Sequence, residues 1–248
     1  MKLKFFIYII FLPLMFGCAK QKKTNSKLVI NYLKEAAVEA ESGNFAKAYN
    51  LAEQAYKMDP TPQNAALKAT LLYQLKKFDE SAALFKKVID DPKTSNYVRS
   101  DVKNNYACNL LCLNRKEEAK QIWHDLATDK NYLSPEVAWF NLGLMEFSEG
   151  ITEKRDPTES KQLHANLRFT NSANLFAKAV DIASNYIDAY FYLALCQAHL
   201  KQFEHAKDNL LLIISKIPEH TPAKQLLAKI DEEITKNRQE SSTQTFTR

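Results

Sequence analysis

The sequence predicts an all-α protein built from stacked helix pairs, on three observations. Only 4 Gly occur in 248 residues, with 46 % apolar and 25 % charged residues, the balance of a folded chain rich in good helix formers. A pattern of small and aromatic residues also returns along the chain. Its small members Ala48, Ser81, Ala119, Ser172 and Ala206 are spaced by 33, 38, 53 and 34. Finally, Ala223, Leu226, Ile230 and Ile234 follow one another at steps of 3, 4 and 4, which gives a helix one buried stripe and a charged outer face.

The N-terminus comes first. Met1 to Lys4 is basic, Phe5 to Gly17 is apolar, and no charge stands between Lys4 and Lys20. That is the anatomy of a secretory signal peptide over residues 1–17, with an apolar part short for a retained membrane span. Cys18 directly after such a run resembles the bacterial lipoprotein signal. The resemblance implies that Cys18 is acylated and becomes the mature N-terminus. With Ala19 rather than Asp next to it, the resemblance implies the outer membrane. Ordinary secretion and a retained anchor are the alternatives. Residues 18–28, including the basic Lys20-Gln-Lys-Lys23, read as a flexible tether, either solvated or resting on anionic head groups.

The repeats follow. Trp139-Phe-Asn-Leu142-Gly143 and Tyr190-Phe-Tyr-Leu193-Ala194 are two copies of one opening motif. The closing half is a small residue, a large one four later, then a proline: Ala48, Ala52 and Pro60; Ser81, Phe85 and Pro92; Ala206, Leu210 and Pro218. Ala119 with Trp123 and Ser172 with Phe176 repeat its first two members. Small residues let two antiparallel helix backbones approach, large ones fill the rest, and proline ends the second helix. This pattern resembles the tetratricopeptide repeat. The resemblance covers about residues 29 to 235 and implies a right-handed α-solenoid of about five helix pairs plus a C-terminal capping helix. Thr221-Pro222 reads as the N-cap and first turn of that helix.

Two stretches depart from the period. The step of 53 reflects an insertion near 148–171, where Gly150 to Ser160 is polar and holds Gly150 and Pro157. It reads as a loop grafted on the array, or as a contact specific to a partner. Residues 236–248 read as a disordered tail.

Catalysis finds little support. The five histidines form no metal motif, there is no Gly-rich phosphate loop or G-x-S-x-G elbow, and no cofactor motif is seen. Cys108 and Cys112 share a helix face and read as small packing residues rather than ligands or a bridge. The formal charge of +5 carries no nucleic-acid signature.

Binding is better defined. In tetratricopeptide arrays the first helix of each pair lines a concave groove, and phasing on the small residue assigns the lining. Tyr73, Gln63 and Thr70 fall there in the second pair, and Asn104, Cys108 and Leu111 in the third. Val137, Phe140, Leu144 and Phe147 follow in the fourth, and Asp188, Phe191, Leu195 and His199 in the fifth. Phe140, Leu144 and Phe191 fit groove and core equally. The lining lacks the combined set of Lys/Arg and Asn with which chaperone-binding members of the family clamp a terminal carboxylate.

A signal cysteine, a short tether and little beyond the repeats resembles the type IV pilus biogenesis lipoproteins, the pilotins. That resemblance implies a membrane-tethered, non-enzymatic scaffold for an envelope protein such as a secretin or pilus component. The alternatives are an accessory of outer-membrane β-barrel assembly, or a lipoprotein holding a small solute for a transporter with Tyr73, Asn104 and Asp188.

Overall fold

The computed structural model describes residues 25–245, and every regular element in that range is an α-helix. The chain divides into two compact units. One runs to Leu126 and includes Lys130–Leu133; the other holds Ala127–Asp129 and the helices that follow Ser134. The first carries α1 (Asn25–Glu41), α2 (Phe45–Met58), α3 (Pro62–Gln74), α4 (Phe78–Asp90), α5 (Asn96–Cys112) and most of α6 (Lys116–Thr128). The second carries α7 (Pro135–Lys154), α8 (Glu159–Ile182), α9 (Ile187–His199), α10 (Phe203–Lys216) and α11 (Thr221–Thr245). Among the described residues this makes five pairs and one further helix, as the repeat pattern predicts.

Each pair turns on a residue in the left-handed region, except α7–α8. Gly43, Lys76, Asn114 and Lys201 have φ of 79°, 61°, 60° and 60°. In all four turns the next N–H closes back on the first helix: Asn44 to Glu39 O, Lys77 to Leu72 O, Arg115 to Leu110 O and Gln202 to Gln197 O, at 2.8–2.9 Å. This is the Schellman closure of a helix end, which reverses the chain within a few residues. Inward starts are fixed by caps. Thr61 Oγ1 accepts from Asn64 N at 3.3 Å, and Ser95 Oγ accepts from Val98 N at 3.4 Å.

The small residues sit where helices cross. Ala48, Ser81, Ala119, Ser172 and Ala206 are fully buried. The two serines also bind the facing helix: Ser81 Oγ donates to Ala69 O and Ser172 Oγ to Gly143 O, both at 2.8 Å. Apolar clusters join α1 to α3, α3 to α5, α7 to α9 and α9 to α11.

The insertion is not a loop. It lengthens both helices of one pair: α7 has 20 residues against 13 in α9, and α8 has 24 against 14 in α10. The breakers Asp156-Pro157 fall in the short turn 155–158, where Gln162 Nε2 donates to Lys154 O at 3.1 Å and Asp156 O at 2.6 Å. Gly150 is a site of close approach. A Cβ there would lie 3.0 Å from Phe169 Cε1, and one on Gly143 would lie 2.7 Å from Phe176 Cε1. Both glycines and both phenylalanines are seven apart, so the same contact recurs two turns on. Arg168 braces the extension, reaching Glu146 at 2.8 Å, Glu149 at 3.2 Å and Glu153 at 4.0 Å.

Two boundaries also move. Helix α1 already begins at Asn25, inside the expected tether, and α11 continues to Thr245 where a disordered tail from 236 was expected. Beyond Pro222 the segment holds no Pro or Gly to stop it. His220, not Thr221, caps α11, with its Nδ1 accepting from Ala223 N at 3.1 Å. The signal peptide, Cys18 and residues 246–248 of the tail lie outside the described residues.

Candidate binding surface

In the first unit, α5 carries the surface of interest. Its Val98 and Val102 enter the core beside Ala66, Ala69 and Phe85. On a neighbouring strip Asn109 Nδ2 donates to Phe78 O at 2.8 Å. Round the helix, Asn104 Oδ1 accepts from Trp123 Nε1 of α6 at 3.0 Å. The face between these contacts is the row Tyr97, Asp101, Asn104, Cys108 and Cys112, at helical steps of four and three. Tyr97 and Cys112 at its ends are exposed; Asp101, Asn104 and Cys108 between them are buried.

Sequence reasoning placed Asn104 and Cys108 in an open groove, which the structure corrects: both are 1 % exposed and belong to the interior. Asn104 is tied to Trp123, and burial pushes the Cys108 thiol up. Tyr73 is half-buried on α3, with its ring 5.5 Å from Phe78 and its hydroxyl 3.6 Å from Cys112 Sγ. Burial, then the Cys112 thiol, raises its phenol. Asp101 was missed, although it lies three residues before Asn104 and six before Ala107, as Asp188 lies six before Ala194. It is 5 % exposed, and its Oδ2 has no hydrogen-bond partner. Burial pushes its carboxyl up to about 6, against a smaller opposing effect of the Tyr97 hydroxyl.

In the second unit Phe140, Leu144 and Phe147 are core residues, which corrects their assignment to a groove. Phe140 lies 5.4 Å from Phe176, 4.9 Å from Tyr186 and 5.7 Å from Tyr192. Phe147 lies 5.7 Å from Phe169 and 5.5 Å from Tyr192, and Leu144 belongs to the same cluster. Phe169 and Phe176 of α8, together with Tyr186 and Tyr192, claim this face of α7. Val137 and Thr70 are buried as well.

What stays accessible is one face of α9. Asp188, Phe191 and Leu195 are each half-buried, and the Phe191 ring lies 5.6 Å from His220. Burial raises the Asp188 carboxyl, opposed by His220. At the far end of α9, His199 stacks on Phe169 at 4.3 Å and 8°. Its Nδ1 lies 2.9 Å from Lys154 Nζ. Burial, reinforced by that ammonium, pulls the imidazole down to about 4, so it is a neutral acceptor for Lys154. Among the described residues no group of His, Cys, Asp and Glu could hold a metal ion, and no helix is long and apolar enough to cross a membrane.

Residues 39–100 match the family described as tetratricopeptide repeat. Over that stretch, about a quarter of its length, the chain carries tetratricopeptide repeats. Solved structures agree on the fold along most of its length. PilF of Pseudomonas aeruginosa superposes at a TM-score of 0.63 and 16 % identity, covering 89 % of this chain and 90 % of that one. Yeast Tom70 superposes at 0.62 and 18 % identity, covering 87 % of this chain but 42 % of that longer one. A tetratricopeptide repeat protein from Parabacteroides merdae gives 0.55 at 13 % identity, with 89 % and 80 % covered. No curated protein sequence matches significantly. Tetratricopeptide repeats, which residues 39–100 match, stack into scaffolds with extended binding surfaces.

Proposed function

We propose that this chain is a lipid-tethered scaffold of the bacterial cell envelope, held at the outer membrane through Cys18 and presenting its repeats to a protein partner of pilus or secretin assembly. The observation that carries the binding part is the accessible row Asp188, Phe191 and Leu195 on α9. An aromatic and an aliphatic side chain stand one turn apart, with a carboxylate one turn before them. Such a row accepts the apolar stripe of a partner helix or extended segment, and the flanking charge sets its direction. The likeness to PilF supports the scaffold and its size, and the signal-like N-terminus supports the tether. Several acyl chains, each methylene contributing about 0.8 kcal/mol, hold such a protein at a bilayer without a spanning helix.

Two substitutions test the two halves. Cys18→Ser is expected to move the protein from the membrane to the soluble fraction; a chain still sedimenting with membranes removes the lipid tether. Phe191→Glu with Leu195→Glu is expected to abolish crosslinking to envelope proteins in living cells while leaving the helical circular dichroism unchanged. Crosslinks that survive would place the partner elsewhere on the chain.

A further inference from the structure

Among the described residues of the first unit, Asp101 carries a side chain whose chemistry is incomplete. The residue is 5 % exposed, and its buried Oδ2 has no partner. Burial and a hydrogen bond from the Tyr97 hydroxyl are the influences on its titration, and no cation among the described residues joins them. A charged group withdrawn from water without a counter-ion is destabilising and is retained where something else completes it. The second unit shows the contrast. Asp188 holds the same place in its pair, and there His220 of the same chain faces it.

Position and neighbours say what would complete Asp101. It stands on the row between the faces of α5 that pack on α3–α4 and on α6, one helical turn inward from Tyr97. Tyr97 is 40 % exposed and is the outer edge of the row. A carboxylate behind an accessible aromatic ring is the pairing that suits a guanidinium or ammonium on a flexible stem. The ring takes the cation on its face and the carboxylate takes its N–H groups. Asn104, three residues on, is held by Trp123 and keeps that part of the row polar.

We infer that Tyr97 and Asp101 form a receptor for a single arginine or lysine side chain of the bound protein. The inference rests on the scaffold reading and names the chemistry of one anchor in it. It reverses the polarity of a carboxylate clamp: the array supplies the anion and the partner the cation.

The test uses the full chain in mild detergent with N-acetyl-argininamide as probe and N-acetyl-citrullinamide as its uncharged counterpart. Binding is read from the carboxyl carbon of Asp101 and the Tyr97 ring signals by NMR. The arginine probe is expected to bind about tenfold or more tightly than the citrulline probe, the usual scale for losing a charge-assisted hydrogen bond. Asp101→Asn should erase that difference, and Tyr97→Leu should reduce it. Free guanidinium at the same concentration should bind more weakly than the capped residue. Equal binding of both probes, an unchanged preference in Asp101→Asn, or guanidinium binding as tightly as the capped residue overturns the receptor for a side chain. Because the probes are single residues, the outcome is independent of any envelope partner. Loss of crosslinks in the α9 variant with an intact arginine preference, or the reverse, separates failure of one reading from failure of the other.

Discussion

Helices α5 and α9 hold equivalent places in their pairs, yet they solve the same packing problem with opposite chemistry. Each crosses its partner through a small buried residue, Ala107 in one and Ala194 in the other. Each then leaves a row facing away from that crossing. On α5 the row is Tyr97, Asp101, Asn104, Cys108 and Cys112; on α9 it is Asp188, Phe191, Leu195 and His199. The first buries a carboxylate without a cation, and the second stacks a neutral imidazole on a ring. Crossing residues fix the scaffold, so the row is free to differ between pairs, and that freedom lets one architecture present different surfaces.

Breaking the aromatic side of the comparison should have the largest effect. Phe140→Glu puts a charge among Phe176, Tyr186 and Tyr192 and should cost about 4 kcal/mol or more, seen as loss of protection of α7–α9 in hydrogen exchange. Phe191→Glu, on the accessible face of the next first helix, should cost about 1 kcal/mol or less. Similar costs for the two would erase the line drawn between core and surface on these helices.

Close approach comes next. Gly143→Ala places a methyl against the Phe176 ring, which is fully buried and has nowhere to go. A cost of about 1–3 kcal/mol is expected, measured as a lower denaturation midpoint. A neutral result would mean that α7 and α8 can separate without loss.

The smallest effect is also the sharpest contrast, because the two rows answer acid in opposite senses. Asp101 rises from an ordinary 3.8 to about 6, so folding binds its proton more tightly. Its helix should be most stable at low pH and lose stability as pH rises through that window. His199 falls from 6.5 to about 4, so its surroundings are stable above 6.5 and weaken as pH drops toward 4. For one linked proton the limit is about tenfold in exchange protection per pH unit. Between pH 4.5 and 6.5 protection of α5 should fall as that of α8 and α9 grows. Asp101→Asn should flatten the first trend and His199→Phe the second. Parallel trends in both regions would show that other groups dominate.

Much of this architecture is legible from residues alone, for a physical reason. Where two backbones touch only a small side chain fits, so Ala48, Ser81, Ala119, Ser172 and Ala206 fix five crossings in register. The left-handed turns at Lys76, Asn114 and Lys201 are hidden, because none of the three is a glycine. Gly150 misleads for a related reason. Among polar neighbours and before Pro157 it has the look of a breaker, whereas its role is contact with Phe169. The groove assignment of Phe140, Leu144 and Phe147 failed because groove and core share the helical period. The rings of Phe169, Phe176, Tyr186 and Tyr192 packed against them decide it. Phe169 and Phe176, seven apart like Gly143 and Gly150, were the available sign.

That spacing restricts how the α7–α8 arm can change in length. Two phenylalanine rings meet two glycine notches, Phe176 at Gly143 and Phe169 at Gly150, and together they pin one register between the arms. An insertion or deletion between the two notches, unmatched between the two rings, takes one ring off its notch. The same change made beyond Gly150 and before Phe169, on the side of the turn, leaves both contacts in place. The arm can therefore vary in length at its tip and not at its base.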